Sequence, residues 1–339
     1  MPRKYAGMWT AIVTPFSQAG GIDEEALRRM VKRQIAGGVS GIVPVGTTGE
    51  SPTTTTEEDA RIFEIVVEET RKAFEKNNGS SIGEQTVADG ARGQPPKKVL
   101  VMAGAGSNST HEATEYIKNA KKAGADCCLI VSPYYNKPTQ KGLRLHYLAL
   151  AKLGLPIIVY NIKGRTGVNI ETDTLMEIAR HPMIVGVKEA SGDMGQIKEV
   201  LRRREELEKD MSFGGSVAGG GLQNGAKEFT VLSGDDGLTL EVMRNGGDGV
   251  VSVAGNLIPR ELSEMVKMAS TADFEGAAKV NEKFARLFKD IFVETNPIPV
   301  KYIASRMGLC GPAFRLPMCE PEEKTKAYLE ETMKFYELI

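Results

Sequence analysis

One lysine stands where a charged side chain is rarely placed. Lys188 lies in the stretch IVGVKEAS, residues 184–191, among apolar and β-branched neighbours that predict a buried strand. Burial removes the hydration of an ammonium group and so favours the neutral amine, which is a nucleophile toward ketones and aldehydes. The stretch therefore allows two interpretations: a strand end whose lysine reaches solvent, or an amine that forms an imine with a carbonyl substrate.

Imine formation also needs a proton relay, because the carbinolamine must lose water. Tyr160 ends the preceding predicted strand, in PIIVYN, and its hydroxyl could carry that proton. The loop VGTTGES offers the hydroxyls and backbone amides of Thr47 and Thr48 to a carboxylate. In YNIKGRTG, the planar guanidinium of Arg165 matches a carboxylate in two-point contact. These residues indicate an acidic keto substrate joined to Lys188.

The elements that would position these residues alternate regularly. Short apolar runs end in Gly, Ser, Thr or Pro, and each is followed by a stretch with helical periodicity. Strands are predicted at residues 9–16, 41–48, 98–106, 127–135, 156–161, 184–191, 228–236 and 249–256. Eight such repeats with continuously apolar strands predict an α/β fold, a closed (β/α)8 TIM barrel, with an open doubly wound sheet as the alternative.

A barrel places its active site at the C-terminal ends of its strands. Polar residues follow the predicted strands in this way: Tyr134 and Tyr135 come after the fourth strand, and Gly234 and Asp235 after the seventh. We therefore expect one barrel mouth to collect them together with Lys188.

Two polar, glycine-rich segments interrupt the alternation, at about 77–96 and 210–227. Each follows a helix and precedes a strand, so we expect surface insertions at the end of the barrel opposite the site. Residues 1–256 are predicted to form the catalytic barrel. Residues 257–339 are predicted to form a closing helix and a small C-terminal helical subdomain, with helical patterning at 269–292 and 322–338.

Composition limits the partners and the compartment. With 43 basic and 44 acidic residues the net charge is −1, so neither nucleic acid nor a membrane is an expected partner. The four cysteines have no disulfide or zinc spacing, and MPRKYAGMWT lacks an apolar signal core, so we expect reduced thiols and a cytoplasmic location. No metal or cofactor is expected, because the histidines are scattered: His111, His146 and His181.

Seven motifs, in this order, resemble the dihydrodipicolinate synthase family over nearly the whole chain: GTTGES, SPYYNKP, YNIKGRTG, GVKEA, LSGDD, GVVSV and VETNPIPVK. The resemblance implies a class I, pyruvate-dependent aldolase of lysine biosynthesis with a TIM barrel fold, acting on pyruvate and L-aspartate 4-semialdehyde. Lys188 would form the Schiff base, and Thr47, Tyr160 and Tyr135 would form the proton relay. In that family the second tyrosine of PYYN is lent by a neighbouring subunit, so Tyr135 implies a homo-oligomer, a dimer or a homotetramer built as a dimer of dimers.

The resemblance also implies how the substrates would be held. Thr48 would bind the pyruvate carboxylate and Arg165 the carboxylate of the semialdehyde. Val251 would present its backbone carbonyl near the imine, and Gly234 and Asp235 would lie near the second substrate.

Feedback by lysine is a further implication of the resemblance. Asn108, Glu112 and Tyr134 match positions that bind the inhibitor in the resembling enzymes. The histidines expected in the following helix are replaced by Thr56 and Asp59. We therefore expect inhibition by lysine to be weak or absent.

Two alternatives stay open. N-acetylneuraminate lyases and keto-deoxy sugar acid aldolases would share Lys188 and Tyr160. The lyases differ at two positions: their sequence resembles YNIPALSG at the segment that contains Arg165 here, and they tend to carry serine in place of Thr47. Lys163 stands where the synthases have proline, which leaves the geometry of the second-substrate loop open. A non-catalytic metabolite-binding barrel is the alternative of a different class, and the set of relay residues argues against it.

Overall fold

The computed structural model describes residues 3–79, 98–213 and 227–339, and within them parallel strands close into a barrel. Each strand pairs with the next along the chain, and the last pairs with the first. The strands are β1 Gly7–Ala11, β2 Gly41–Val43, β3 Leu100–Gly104, β4 Cys127–Val131, β5 Ile157–Asn161, β6 Ile184–Glu189, β7 Thr230–Ser233 and β8 Gly249–Ser252. The predicted TIM barrel is confirmed, and the open doubly wound sheet is wrong because β1 and β8 leave no edge.

Helices alternate with the strands and continue beyond the barrel. Over the same ranges they are α1 Glu24–Ala36, α2 Thr56–Gly79, α3 Thr110–Ala123, α4 Gln140–Ala151, α5 Lys163–Thr166, α6 Thr172–Ala179, α7 Met194–Phe213, α8 Thr239–Arg244, α9 Pro259–Ser270, α10 Phe274–Asp290, α11 Ile298–Arg306 and α12 Glu323–Phe335. Local signals fix several ends. Asp23 caps α1 by accepting from Ala26 N, and Ser109 caps α3 by accepting from Glu112 N.

Each predicted strand is present, but most predicted runs extend past the carboxyl end of the strand. The run 41–48 continues five residues beyond the end of β2 at Val43, and the run 127–135 continues beyond the end of β4 at Val131. These loops are still rich in apolar and hydroxyl residues, although their backbone no longer makes the hydrogen bonds that join the strands. The parts of the predicted runs that lie beyond the strands are therefore the loops that carry the candidate site residues.

Side chains fill the inside of the barrel, so it is a packed core. An inner cluster includes Trp9, Leu129, Tyr160 and Val251, and a larger cluster fills the space between the strands and the helices. Successive side chains of a strand point to opposite faces. This alternation places Lys188 of β6 on the same inner face as Tyr160 of β5, its Cα partner in the neighbouring strand.

The helices after β8 close the ring and then extend it. α9 packs against α1 and β1, and α10 packs against α9. α11 was not predicted; it begins beside Pro297 and carries Pro299 in its first turn, where the missing N–H of proline is tolerated. The division of the chain at residues 256 and 257 stays a prediction.

Most of the two predicted insertions lies outside the described residues. Residues 77–79 continue α2 and residues 210–213 continue α7, so both helices extend further than predicted. These helices lead toward the amino ends of β3 and β7, at the end of the barrel opposite the candidate site. Across residues 3–79, 98–213 and 227–339, no helix combines the length and apolarity needed to cross a membrane.

Candidate active site

One cavity opens at the carboxyl ends of the strands, where the sequence predicts the site. Six of the predicted site residues line it: Thr47, Thr48, Tyr160, Arg165, Lys188 and Gly234. The rest of the wall comes from neighbouring strand ends, such as Leu129 and Val131 of β4, and from the segment between α10 and α11. The structure thus brings these six residues together, while their chemical roles stay predictions.

The candidate nucleophile is buried against an aromatic ring. Lys188 has 5% of its surface exposed, and its Nζ lies 4.1 Å from the centroid of the Tyr160 ring. A ring face at this distance attracts a cation and excludes water from one side of the amine. Between the two interpretations of the stretch 184–191, the structure therefore supports a buried amine at the barrel mouth.

Gly234 leaves room for the lysine side chain. A Cβ added to it would meet Ala190 Cβ at 2.5 Å and Lys188 Cε at 3.1 Å. The first distance is shorter than a van der Waals contact, and the second would push the lysine stem. Glycine at this position therefore helps to set where the amine lies.

The cavity is positively charged. Among the described residues, Lys188 and Arg165 line it and no carboxylate side chain does. Within the same part of the chain neither cation makes an ion pair with a carboxylate. Unneutralised positive charge in a partly desolvated cleft raises the local concentration of anions, so the cavity suits an anionic substrate.

A polar network behind the cavity fixes the ends of β5 and β6. Asn161 Nδ2 donates to both oxygens of the Glu189 carboxylate at 3.2 Å, and Ser191 N donates to Glu189 Oε1 at 2.8 Å. Burial raises the pKa of Glu189, and these donors partly offset that effect. Asn161 and Glu189 directly follow Tyr160 and Lys188, so the network holds the two candidate catalytic residues in register.

The loop with the two threonines has a constrained backbone. Val45 and Glu50, on either side of it, have φ of 55° and 56°, a left-handed conformation that is unfavourable for side chains with a Cβ. Gly104 packs so closely against this loop that an added Cβ would lie 2.1 Å from Val45 O. Thr48 Oγ1 accepts a hydrogen bond from Asn296 Nδ2 at 3.0 Å.

Arg165 reaches the cavity from the short helix α5. Its side chain is exposed, and its Nη2 donates to Asn296 O at 3.1 Å. Lys163, where the resembling synthases have proline, is the first residue of α5. Proline is common at the first helical position, so lysine and proline suit the same turn here.

Three predicted site residues do not line the cavity. Tyr135 is 90% exposed with φ of 71°, and its ring lies in solvent. Val251 is buried in the inner cluster of the barrel. The Asp235 side chain is exposed and caps the turn before α8 by accepting from Leu238 N at 3.1 Å.

A second cavity adjoins the first and shares Thr47 and Arg165 with it. Of the three predicted lysine-binding residues, Glu112 and Tyr134 line this second cavity, together with Asp59 and Tyr116. Asn108 does not line it; its carbonyl accepts from Asn136 Nδ2 at 2.8 Å.

Asp59 gives the second cavity an unusual carboxyl group. Its side chain is buried and accepts from Thr54 Oγ1 at 2.6 Å. Burial raises the pKa of Asp59 to about 7.

Sequence reasoning missed two residues of the catalytic cavity, Asn296 and Phe292. Asn296 is 5% exposed and contacts both Thr48 and Arg165, while its Oδ1 has no hydrogen-bond partner within the described residues. The signal was present in the motif VETNPIPVK, but no spacing rule connects residue 296 with the strands. Its position depends on how the C-terminal helices pack.

Histidine and cysteine do not form a metal-binding group in the part of the chain that is described. His146 is buried and contacts Thr110 Oγ1 through Nδ1 at 2.9 Å, and burial lowers its pKa to about 4. All four cysteines are free thiols: Cys127, Cys128, Cys310 and Cys319.

Fold and site define a (β/α)8-barrel protein with a buried lysine in a cavity at the carboxyl ends of its strands, and comparison with known proteins specifies the family. Residues 4–75, 80–213 and 222–335 match the model of the Dihydrodipicolinate synthetase family. Over 335 residues the chain is 41% identical to a 4-hydroxy-tetrahydrodipicolinate synthase of Methanospirillum hungatei JF-1, with 98% of this chain and 100% of that protein covered.

Solved structures give the same result. Dihydrodipicolinate synthase from Aquifex aeolicus superposes with a TM-score of 0.82 at 38% identity, covering 98% of this chain and 99% of that one. The Acinetobacter baumannii synthase in complex with pyruvate gives 0.83 at 36%, covering 98% and 99%. The Cyanidioschyzon merolae synthase with lysine bound gives 0.83 at 32%, covering 99% and 100%. The chain belongs to the dihydrodipicolinate synthetase family.

Proposed function

We propose that this chain condenses pyruvate with L-aspartate 4-semialdehyde, the reaction of a 4-hydroxy-tetrahydrodipicolinate synthase in lysine biosynthesis. The observation that carries the proposal is the buried Lys188 amine on the Tyr160 ring, in a cavity whose charged lining residues are cations. The curated relatives that bear this name align over their whole length, and the Acinetobacter baumannii relative was solved with pyruvate.

Lys188 supplies the nucleophile of the reaction. The Lys188 ammonium first gives a proton to the relay, and the resulting amine attacks the keto carbon of pyruvate. The carbinolamine takes up a proton from the relay and loses its oxygen as water to leave a protonated imine. Loss of a proton from the pyruvate methyl group gives an enamine, whose carbon attacks the aldehyde of the second substrate. The amino group of that substrate then adds to the imine carbon and displaces the Lys188 amine, which frees the enzyme. Thr47, Tyr160 and Tyr135 relay the protons.

The remaining site residues bind the two acids. Thr48 binds the pyruvate carboxylate, which the constrained loop and the bond from Asn296 support. Arg165 binds the carboxylate of the semialdehyde, and Gly234 and Asp235 lie near that substrate. The backbone carbonyl of Val251, a residue of the barrel interior, lies near the imine.

Tyr135 completes the relay from a second copy of the chain, in a dimer or a dimer of dimers. Tyrosine is enriched at protein interfaces, and the Tyr135 ring is 90% exposed in the single chain, which supports its burial against a partner.

Mixing variants tests the shared tyrosine. Lys188→Arg and Tyr135→Phe, each inactive alone, recover about one quarter of the wild-type activity after random reassembly, because half of the dimers are mixed and hold one intact site of two. Absence of recovery, or a monomer in solution, contradicts the sharing.

Lysine binds with Glu112 and Tyr134 in the second cavity and with Asn108, and it inhibits weakly or not at all. Two carboxyl groups beside aromatic rings favour an ammonium group, and the Cyanidioschyzon merolae relative was solved with lysine. Titration of the activity with lysine measures the inhibition.

We also propose a cytoplasmic location, which agrees with the free thiols.

A paired assay tests the reaction itself. Pyruvate consumption with L-aspartate 4-semialdehyde is compared with cleavage of N-acetylneuraminate and of a keto-deoxy sugar acid under the same conditions. The proposal expects the first activity to exceed the others by about a hundredfold or more, because Arg165 is placed for a second carboxylate. A preference for either sugar acid contradicts it, and no activity with any substrate favours a binding protein.

A further inference from the structure

The segment that leads into α11 contacts the loop of the two threonines from outside the barrel. We call residues 46–49 the threonine loop, and Glu50 follows it directly. Asn296 Nδ2 donates to Thr48 Oγ1 at 3.0 Å, and Lys301 Nζ donates to Glu50 Oε1 at 2.5 Å. Arg165 Nη2 donates to Asn296 O at 3.1 Å. One short segment therefore contacts both of the sites that the proposed function assigns to substrate carboxylates.

Glu50 and Lys301 form an ion pair that has no contact with water. Both side chains are 0% exposed, and the rings of Phe16 and Phe314 lie 4.2 Å and 4.9 Å from Lys301 Nζ. Arg315 N donates to the other carboxylate oxygen of Glu50 at 3.3 Å. Removing two charges from water is unfavourable, and their attraction often only balances that cost, so stability alone is a weak reason for the pair.

The backbone of Glu50 needs an external restraint. Its φ of 56° is a left-handed conformation that persists in a non-glycine residue only where the surroundings hold it. Glu50 lies two residues after Thr48, and Glu50 N donates to Thr47 O at 3.1 Å. A change in the position of the Glu50 side chain would therefore move both threonines.

We propose that Glu50 and Lys301 position the threonine loop, residues 46–49, so that α11 sets the affinity of the catalytic cavity for the pyruvate carboxylate. Neither residue lines that cavity, so both are positioning residues. The inference rests on the proposed function, because it concerns how the same site holds its first substrate.

If the pair of Glu50 and Lys301 only stabilised the fold, a different result would be expected. Its loss would lower the fraction of folded protein and leave the folded molecules with unchanged affinity for pyruvate. The pair of Arg204 and Asp248 offers a matched control: it is joined at 2.8 Å, its side chains are 7% and 9% exposed, and it lies at the opposite end of the barrel.

The test measures the pyruvate concentration that gives half-maximal borohydride trapping in Glu50→Gln, Lys301→Met, the double variant and the control Arg204→Met. Removal of the pair is expected to raise this concentration about tenfold, while kcat at saturating pyruvate changes less than about threefold. Arg204→Met is expected to lower the melting temperature and to leave the half-saturation at the wild-type value.

An unchanged half-saturation in a folded variant without the pair overturns the inference, and so does an equal rise in Arg204→Met. The double variant leaves no unpaired buried charge from this pair, so it provides the measurement if the single variants do not fold. A wild-type protein that pyruvate and borohydride do not label overturns the proposed function together with this inference. If pyruvate and borohydride label the wild type and the variants keep its half-saturating pyruvate concentration, the inference is overturned and the proposed function is not.

Discussion

Charged side chains are arranged differently at the amino end of the barrel and in the lining of the catalytic cavity. At the amino ends of the strands, Arg204 pairs with Asp248 at 2.8 Å, and Arg3 contacts both Asp248 and Glu208. At the carboxyl ends, Lys188 and Arg165 line a cavity without a carboxylate among the described residues. Breaking a buried ion pair leaves an uncompensated charge and destabilises the fold, whereas positive charge without a partner in a cavity favours the binding of an anion.

The difference implies that substitutions at the two ends affect different measurements. Changes at the mouth should reduce turnover while the protein stays folded. Changes at the amino end should reduce stability while turnover per folded molecule stays the same.

Replacement of the candidate nucleophile should have the largest effect. Lys188→Arg keeps a cation on the Tyr160 ring but removes the nucleophilic amine, so kcat should fall by at least about a thousandfold. Circular dichroism should show the wild-type fold. Arg204→Met at the amino end should lose roughly 3 kcal/mol of unfolding free energy and keep its turnover. Equal turnover in Lys188→Arg and wild type would refute the role of the lysine.

Removal of the relay hydroxyl should have the next largest effect. Tyr160→Phe keeps the ring on Lys188 and removes only the hydroxyl, so kcat should fall about a hundredfold. Tyr147→Phe is the matched control, because its hydroxyl donates to Ile130 O at 3.1 Å in the outer core. That variant should lose about 1 kcal/mol of stability and keep its kcat. Steady-state kinetics that place both variants at the same kcat would remove Tyr160 from the relay.

A small added volume beside the lysine should have a moderate effect. Gly234→Ala puts a methyl group 3.1 Å from Lys188 Cε, so the amine shifts and kcat should fall about tenfold. Gly21→Ala is the control, because its nearest neighbour would be Ser17 Oγ at 3.8 Å. The ratio of the two kcat values measures the effect, and a ratio near one would show that Gly234 does not set the position of the amine.

Asp59 should affect stability more than turnover. Burial raises the pKa of Asp59 to about 7, so the folded state binds this proton more tightly than the unfolded state does. Its contribution to stability is therefore present at low pH and is lost as pH rises toward 7. Relative to Asp59→Asn, the wild type should lose about 1 to 2 kcal/mol between pH 5 and pH 7 in urea unfolding. Parallel pH profiles of the two proteins would contradict the raised pKa.

The barrel could be predicted because each part of it has a local signal. Apolar strands and helical stretches recur eight times, and closure follows from their number. The ends of the strands were less predictable. In LSGDD the strand β7 ends at Ser233, so alternation no longer decides which aspartate points inward. Asp235 is exposed, whereas Asp236 is buried and accepts from Val253 N at 3.0 Å.

The candidate site was predictable to the extent that it is built from strand ends. Thr47, Tyr160 and Lys188 follow from strand positions and meet at the mouth. Asn296 lies between α10 and α11 and Asp59 lies in α2, and their distance from the cavity depends on how these parts of the chain pack against the barrel. A single sequence contains no period or spacing that specifies this packing.

The most direct test of the account is the covalent capture of pyruvate by Lys188. The protein is incubated with pyruvate, reduced with borohydride, and examined by intact mass and peptide mapping. We expect one adduct of about 72 Da per chain, located on Lys188 and absent from Lys188→Arg, because reduction of the imine fixes the three-carbon acid to the amine. A folded, active protein that carries no adduct on Lys188 would contradict the account.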